Sequence, residues 1–362
     1  MAAPRTSSRP GRRRTATEEV RWLIVPPNWV GDAVMAQPLL EHIAHAAGSG
    51  RCAVLADGVI ADVFEAMPQR PQILRFQESH GRLQWRKRQA IARHVRGLGF
   101  SHALILPHSL KSSLIPWLAG IPHRIGHVGE HRFGLVNRRP LGRAGKAREQ
   151  NMVSYYLALT SAITPSRDAA PPQAPRLSVD ASQIAAQQAH FGLGDYWVFA
   201  PGAEFGPAKQ WPLEHWQALL GLIPSAQRLA ILGGPRDHAF GEALAQSAKP
   251  GQRVANLCGQ TTMAQAIALI AGARLLVSND SGLMHVAAAL AKPQIAVFGS
   301  TDPMHSGPIN PQAIVQWLKL DCSPCFQRHC PLTHHDCLRN ISPEVLARDL
   351  RSISAKTTML AP

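Results

Sequence analysis

The stretch VSNDSGLMHVAAALAKPQIAVFG, residues 277–299, contains the end of an apolar strand, a polar turn, an alanine-rich helical run and a second strand. Elements in this order predict one unit of a parallel α/β sheet. The turn, residues 279–282, carries the residue types that begin helices. Because the first N–H groups of a helix have no partner within it, this turn also predicts an anion site suited to phosphate.

The same alternation extends through both halves of the chain. In the second half, four apolar strands end in loops of Gly, Asp or Ser: YWVFAPGAEFG, RLAILGGPRD, RLLVSNDSG and QIAVFGSTDP. In the first half, RWLIV, CAVLADG and HALILPHS are separated by helical runs. Ligands bind at the carboxyl ends of such strands, so these loops are expected to line one cleft. The Pro- and Ala-rich residues 164–177 are the predicted domain boundary.

Length and composition limit the class of protein. A chain of 362 residues fits about two domains. No apolar run reaches the ~18 residues of a membrane span, and residues 1–20 are predicted to be a disordered basic tail and not an export signal. We therefore expect a cytoplasmic protein with reduced thiols. The absence of G-x-G-x-x-G and P-loop motifs counts against a dinucleotide dehydrogenase and a P-loop kinase.

Positive charge is concentrated in the first half. Residues 1–150 hold 23 of the 38 Lys and Arg residues but only 10 of the 23 Asp and Glu residues. This asymmetry predicts an acidic partner, which is a nucleic acid, an anionic membrane surface or an anionic substrate. A basic amphipathic helix over residues 81–99 contributes to it. The apolar stripe predicted for that helix is Leu83, Ala90, Ile91, Val95 and Leu98.

Three loops hold candidate catalytic or binding residues, and the residues alone leave two interpretations for each. Asp32 in NWVGDAV is either a general base or only a helix cap. Lys209 in PGAEFGPAKQWP either neutralises a phosphate or is a solvated loop lysine. His285, one turn into the predicted helix, either donates to a phosphate or packs in the core.

A cysteine cluster lies near the end of the chain in CSPCFQRHCPLTHHDC. The C-x2-C spacing is typical of zinc sites, but the second pair is separated by six residues and lacks the usual second knuckle. A compact reduced loop without metal is therefore favoured over a zinc site. The candidate ligands are Cys322, Cys325, Cys330 and Cys337, whereas Cys52 and Cys258 are predicted to be ordinary buried residues.

Five motifs together resemble one family. They are WVGDAVMAQPLL, LPHSLKSSLIPWLAGIPHRIG, PGAEFGPAKQWP, NDSGLMHVAAAL and CSPCFQRHC. They are similar to the lipopolysaccharide heptosyltransferases, and within that family to the type II branch, over about residues 22–350. The resemblance implies an α/β fold of GT-B type, with two Rossmann-like domains facing across a cleft. Residues 21–170 would bind the acceptor and residues 171–362 the donor, with the last helix either on the second domain or packed back on the first.

The resemblance also implies an activity and its residues. The reaction would be an inverting transfer of L-glycero-D-manno-heptose from ADP-heptose to the first heptose of heptosyl-Kdo2-lipid A, without metal or cofactor. Asp32 matches the catalytic base. The residues that match donor-binding positions are Lys209, Asp237, Asp280, Ser281, Gly282 and His285. The acceptor candidates are Lys111, Arg124 and Arg132.

The positive charge of the first half also predicts where the protein acts, and three alternative functions stay open. The basic first domain would contact the anionic inner face of the inner membrane, with no role for nucleic acid. One alternative is a heptosyltransferase of type I or III, and another is a non-catalytic sugar-nucleotide sensor that tolerates loss of Asp32. A zinc-dependent nucleic-acid module is a third alternative, against which the 6% aromatic content and the two α/β halves argue.

Overall fold

The computed structural model of the chain describes residues 20–48, 50–76, 83–140, 151–163 and 173–359. These residues form two parallel β-sheets with helices packed against them, which confirms the predicted α/β class. The predicted tail, apart from Val20, and most of the predicted boundary at 164–177 lie outside the described residues. The domain limits therefore stay a prediction.

The first sheet has five strands in the order β3-β2-β1-β4-β5. They are β1 Trp22–Val25, β2 Cys52–Ala56, β3 Gln72–Arg75, β4 His102–Ile105 and β5 His123–Gly126. The helices of this half are α1 Val30–Met35, α2 Gln37–Ala47, α3 Gly58–Glu65, α4 Trp85–Gly97, α5 Leu110–Leu118 and α6 Met152–Leu157. Strands β1 and β2 are buried along their whole length, because helices cover both faces of a parallel sheet.

The second sheet has six strands in the order β11-β10-β9-β6-β7-β8. They are β6 Tyr196–Ala200, β7 Arg228–Ile231, β8 Val254–Asn256, β9 Leu276–Asn279, β10 Gln294–Val297 and β11 Ala313–Gln316. The helices of this half are α7 Ala181–His190, α8 Leu213–Leu222, α9 His238–Gln246, α10 Met263–Gly272, α11 Gly282–Ala289, α12 Pro303–Ser306, α13 Asp336–Arg339 and α14 Pro343–Met359.

The final helix, α14, belongs to the second half. Leu346, Leu350 and Ile353 pack with Trp216 of α8 in the core on one face of the second sheet. In the described residues this helix therefore packs on the second half, which favours the first of the two alternatives, and the domain assignment stays a prediction.

The basic helix differs from its predicted pattern. Helix α4 begins at Trp85, so Leu83 lies before it and is exposed, and Ala90 is exposed as well. The buried face consists of Arg88, Ala92 and Val95. The Arg88 guanidinium donates to the Leu83 and Lys111 carbonyls at 2.9 and 3.0 Å, so hydrogen bonding to backbone offsets the cost of burying the charge.

Two of the cations of this helix therefore donate hydrogen bonds to backbone carbonyls of the fold. Arg88 is buried, and Arg96 donates to the carbonyls of Leu118 and Ala119 at 2.6 and 3.3 Å. Arg86, Lys87 and Arg93 are exposed. None of the helices in the described ranges combines the length and apolar character of a membrane-spanning segment.

Candidate active site

The predicted base lies at the start of α1. Trp29 is the N-cap residue, and Asp32 occupies the first turn without a side-chain capping bond being formed. The interpretation of Asp32 as a helix cap therefore finds no support. A carboxylate in the first turn is favoured by the helix dipole, so the position suits a negatively charged side chain.

The surroundings of Asp32 make its carboxylate more basic. Burial raises the pKa of Asp32 to about 6, while His305 and Lys209 lower it and Asp280 raises it. The hydroxyl of Tyr156, itself buried, hydrogen-bonds the carboxyl group and favours its charged form. A carboxylate with a pKa near 6 is ionised at neutral pH and still able to accept a proton.

Lys209 is held by a buried ion pair. Its Nζ lies 2.5 Å from Asp280 Oδ2, and the two side chains are 14% and 5% exposed. The hydroxyl of Thr301 donates to the same carboxylate oxygen at 2.5 Å. Asp280 therefore fixes the ammonium group, and the described part of the chain leaves two of the three N–H donors of that group for a ligand. Lys209 is not a solvated loop lysine.

Asn279 fastens the loop that carries Lys209. Its side-chain amide donates to the Pro201 carbonyl at 2.6 Å and accepts from the Trp211 N–H at 3.1 Å. These bonds tie both ends of the loop, residues 201–211, to the end of β9. The N-D pair of the NDSG turn thus positions the Lys209 loop and its charge.

The start of α11 retains polar groups that no described residue satisfies. Ser281 is the N-cap residue but makes no side-chain capping bond. Its hydroxyl is buried without a hydrogen-bond partner, as is that of Ser300. Buried polar atoms without partners are rare in folded proteins. Together with the N–H groups of the first turn, they suit an anion such as phosphate.

Helices α1 and α11 meet at a close contact that we call the glycine seam, formed by Val30 and Gly31 on one side and Gly282 and His285 on the other. A Cβ at position 31 would lie 2.6 Å from His285 Cδ2, and one at position 282 would lie 2.7 Å from Val30 Cβ. Only glycine fits at either position. The seam brings the Asp32 turn against the NDSG turn.

His285 is buried in this seam. Burial lowers the pKa of His285 to about 4, with Asp280 raising it and Lys209 lowering it further. The imidazole is therefore neutral at physiological pH. The structure supports the packing interpretation of His285, and a neutral ring can still donate one hydrogen bond.

Asp237 lies in the turn Pro235–Asp237 after β7, the strand next to β6, which precedes the Lys209 loop. Its carboxylate accepts from the Gly234 N–H at 2.8 Å and packs against Gly202 and Gly233. Burial raises the pKa of Asp237, and the Gly234 bond lowers it. Asp237 therefore borders the first residues of the Lys209 loop at the same sheet edge.

The three acceptor candidates differ in their surroundings. The Arg124 guanidinium donates to three backbone carbonyls at 2.6–3.0 Å. Arg132 is only 3% exposed and donates to two carbonyls at 2.5 and 2.6 Å. Guanidinium groups used inside the fold in this way hold loops in place. Lys111, in the first turn of α5, is the candidate best placed to meet an acceptor.

The cysteine loop supports the Lys209 loop. It encloses a cavity of about 20 Å³ that Ala208 and Ser300 also border. The Arg328 carbonyl accepts from the Ala208 N–H at 3.1 Å, and the Phe326 N–H donates to the Ser300 carbonyl at 2.7 Å. Within the described ranges, no three His, Cys, Asp or Glu side chains are placed to hold a metal ion. Cys322, Cys325, Cys330 and Cys337 are free thiols that line the cavity, and the choice between a reduced loop and a zinc site stays a prediction.

Three residues at the site were not predicted from the sequence. Thr301 and His305 follow β10 in GSTDPMH. Their position after a strand was a usable signal, since that loop was expected to line the cleft. Tyr156 lies on α6, away from any motif, and nothing in the sequence pointed to it.

Comparison with known proteins places this arrangement in context. The family model "Glycosyltransferase family 9 (heptosyltransferase)" matches residues 88–335. Lipopolysaccharide heptosyltransferase 2 of Salmonella typhimurium is 32% identical over 341 residues, covering 91% of this chain and 97% of the relative. Lipopolysaccharide heptosyltransferase 1 of Escherichia coli is 36% identical, but over only 112 residues, or 30% of this chain.

A solved structure agrees along the whole fold. The structure of E. coli ADP-heptose LPS heptosyltransferase II has a TM-score of 0.82 and 30% sequence identity, covering 93% of this chain and 99% of that one. E. coli heptosyltransferase WaaC with ADP has a TM-score of 0.69 at 20% identity, covering 92% of this chain and all of that one. The latter similarity establishes the fold alone.

Proposed function

The chain belongs to glycosyltransferase family 9, the heptosyltransferases, and from this we propose that it moves heptose from ADP-heptose to the first heptose of the lipopolysaccharide inner core. One observation carries the proposal: Asp32 and the Lys209–Asp280 pair lie within electrostatic range of one another across the glycine seam. A base on one side and a fixed cation on the other suit an inverting displacement. The type II acceptor is favoured because the type 2 relatives align over the whole fold.

The donor would lie against the second half, residues 171–362 in the proposed division. Its diphosphate would meet the Lys209 ammonium, the unpartnered Ser281 hydroxyl and the first N–H groups of α11. Negative charge grows on the leaving ADP as the bond from the anomeric carbon to phosphate oxygen breaks. Fixed donors aimed at that charge stabilise the transition state more than the ground state. Asp237, at the carboxyl end of the neighbouring strand β7, would make a polar contact with the donor.

The acceptor would lie against the first half, residues 21–170. Its hydroxyl oxygen attacks the anomeric carbon from the face opposite the departing ADP, and Asp32 takes the hydroxyl proton. One carbon–oxygen bond forms and one breaks, so the configuration inverts. Lys111, near the carboxyl end of β4, supplies a positive charge for the acidic groups of the acceptor.

We expect purified protein to release ADP from ADP-heptose when heptosyl-Kdo2-lipid A is added. Kdo2-lipid A without heptose is the matched control and should give no release, because the proposed nucleophile is a heptose hydroxyl. Release with the control acceptor alone would instead indicate a type I enzyme. Donor binding without turnover on either acceptor would indicate the non-catalytic sensor.

The exposed cations of α4 suggest how the protein reaches an acceptor embedded in a membrane. We propose that Arg86, Lys87 and Arg93 contact the anionic inner face of the inner membrane. Each close cation contributes about 1 kcal/mol to such binding, or roughly fivefold in affinity. The side chains are exposed, so their replacement should leave the fold intact.

Cosedimentation with vesicles tests this contact. The triple change of Arg86, Lys87 and Arg93 to glutamine should reduce binding to vesicles of phosphatidylglycerol and phosphatidylethanolamine by roughly 10². The control replaces three exposed cations of the second half, Arg253, Lys319 and Arg348. Equal losses in both variants would show a nonspecific charge effect and contradict the proposal.

A further inference from the structure

Trp29 is a large aromatic side chain that the fold leaves in solvent. It is 46% exposed, whereas Pro26 and Pro27 just before it are buried, as are most residues of α1 after it. The two prolines fix their own φ angles and leave the loop little freedom. The backbone on either side is therefore anchored, and Trp29, with the exposed Asn28 before it, lies on the surface at the start of α1.

That place is beside the proposed base. Trp29 is the N-cap residue of α1, and Asp32 follows three positions later. Side chains three positions apart at a helix start lie on the same side of it. Val30 and Gly31, between them, face α11 in the glycine seam. Trp29 thus lies on the Asp32 side of the turn and outside the seam.

The neighbouring loop supplies positive charge. Strand β1 pairs with β4 in the centre of the first sheet, so the loops after these strands are neighbours. The loop after β4 leads to Lys111 in the first turn of α5. An exposed indole on one loop and a cation on the neighbouring loop suit a ligand with an apolar ring face and acidic substituents. A sugar attached to carboxylated sugars has both features.

We propose that Trp29 is a stacking platform for the acceptor sugar. The indole would lie against the C–H face of the heptose whose hydroxyl is deprotonated by Asp32. This inference rests on the proposed function and adds a residue that selects and orients the acceptor. The donor, bound from the second half, would not touch Trp29.

The test measures acceptor and donor dependence separately. Trp29→Ala should raise the KM for heptosyl-Kdo2-lipid A by about tenfold, with the KM for ADP-heptose unchanged. Trp29→Phe should recover part of the loss because it restores a flat ring. Trp117→Ala is the matched control, since Trp117 is 45% exposed on α5, and should leave both KM values unchanged.

The outcomes separate this inference from the proposed function. An active wild-type protein whose acceptor KM is unchanged in Trp29→Ala would overturn the platform alone. A rise in both KM values together with a lower Tm would show a structural role and also overturn it. If the wild-type protein releases no ADP with this acceptor, the proposed function fails, and the inference fails with it.

Discussion

Replacing Asp32 by asparagine should reduce heptosyl transfer by roughly 10² or more, with ADP-heptose binding retained. The amide keeps the shape of the carboxyl group but cannot accept the proton from the acceptor hydroxyl. In the wild-type protein the rate should fall as pH drops through about 6, because protonation of Asp32 removes the base. The residual activity of the variant should lack this acidic limb. Initial rates of ADP release across pH 5–9 measure both effects.

A control variant and a stability measurement show whether the loss of activity comes from the missing base. Asp57→Asn changes a carboxylate at the N-cap of α3, after β2 on the same sheet, and should leave the rate unchanged. Since burial raises the pKa of Asp32, the ionised carboxylate lowers folded-state stability above that pKa. The asparagine variant should therefore show no loss of Tm at pH 8. Near-normal turnover in Asp32→Asn would remove this residue from the role of base.

Replacing Lys209 by methionine should lower kcat/KM for ADP-heptose by at least about 10². The variant loses the charge that meets the diphosphate and stabilises the departing ADP. It also leaves Asp280 as a buried carboxylate without its counter-ion, which typically costs about 3–5 kcal/mol of stability. Steady-state kinetics and thermal unfolding report these two losses separately.

A second change separates chemistry from stability. In the double variant Lys209→Met with Asp280→Asn, no unpaired charge remains, so Tm should return toward the wild-type value while activity stays low. Lys319→Met, at an exposed lysine of the second half, is the single-site control and should change neither. If the double variant recovered turnover along with Tm, the role of Lys209 would be purely structural.

The sequence predicted the inner strands of both sheets but not the four outermost strands. Strands β1, β2, β6, β9 and β10 are buried along their length and appear as continuous apolar runs. The strands that were missed, β3, β5, β8 and β11, are the outermost in each sheet. Their sequences QILR, HRIG, VAN and AIVQ are partly exposed. With one side open to solvent, an edge strand needs no apolar run, so local pattern alone could not find it.

The candidate site shows a similar division. Loops at strand ends could be found because helix caps and turns need particular residue types, as in NDSG. The pairing of side chains between different loops could not be predicted, since Lys209 and Asp280, which form an ion pair, are 71 positions apart in the chain. Asp280 was expected to belong to the loop that holds the phosphates, and the structure shows that its carboxylate binds the Lys209 ammonium. Arg132 was expected to meet an acceptor and instead binds carbonyls inside the fold.

The close contact in the glycine seam fixes the distance between the Asp32 turn and the NDSG turn. At positions 31 and 282, the room between the two helices is smaller than a methyl group. A side chain at either position would push α1 and α11 apart, and with them the Asp32 turn and the NDSG turn, while the strands of each sheet keep their own cores. The two substrates would then sit slightly too far apart to react. In the proposed mechanism, the spacing between the base and the donor site thus depends on two glycine hydrogens, at positions where any other residue would place a carbon.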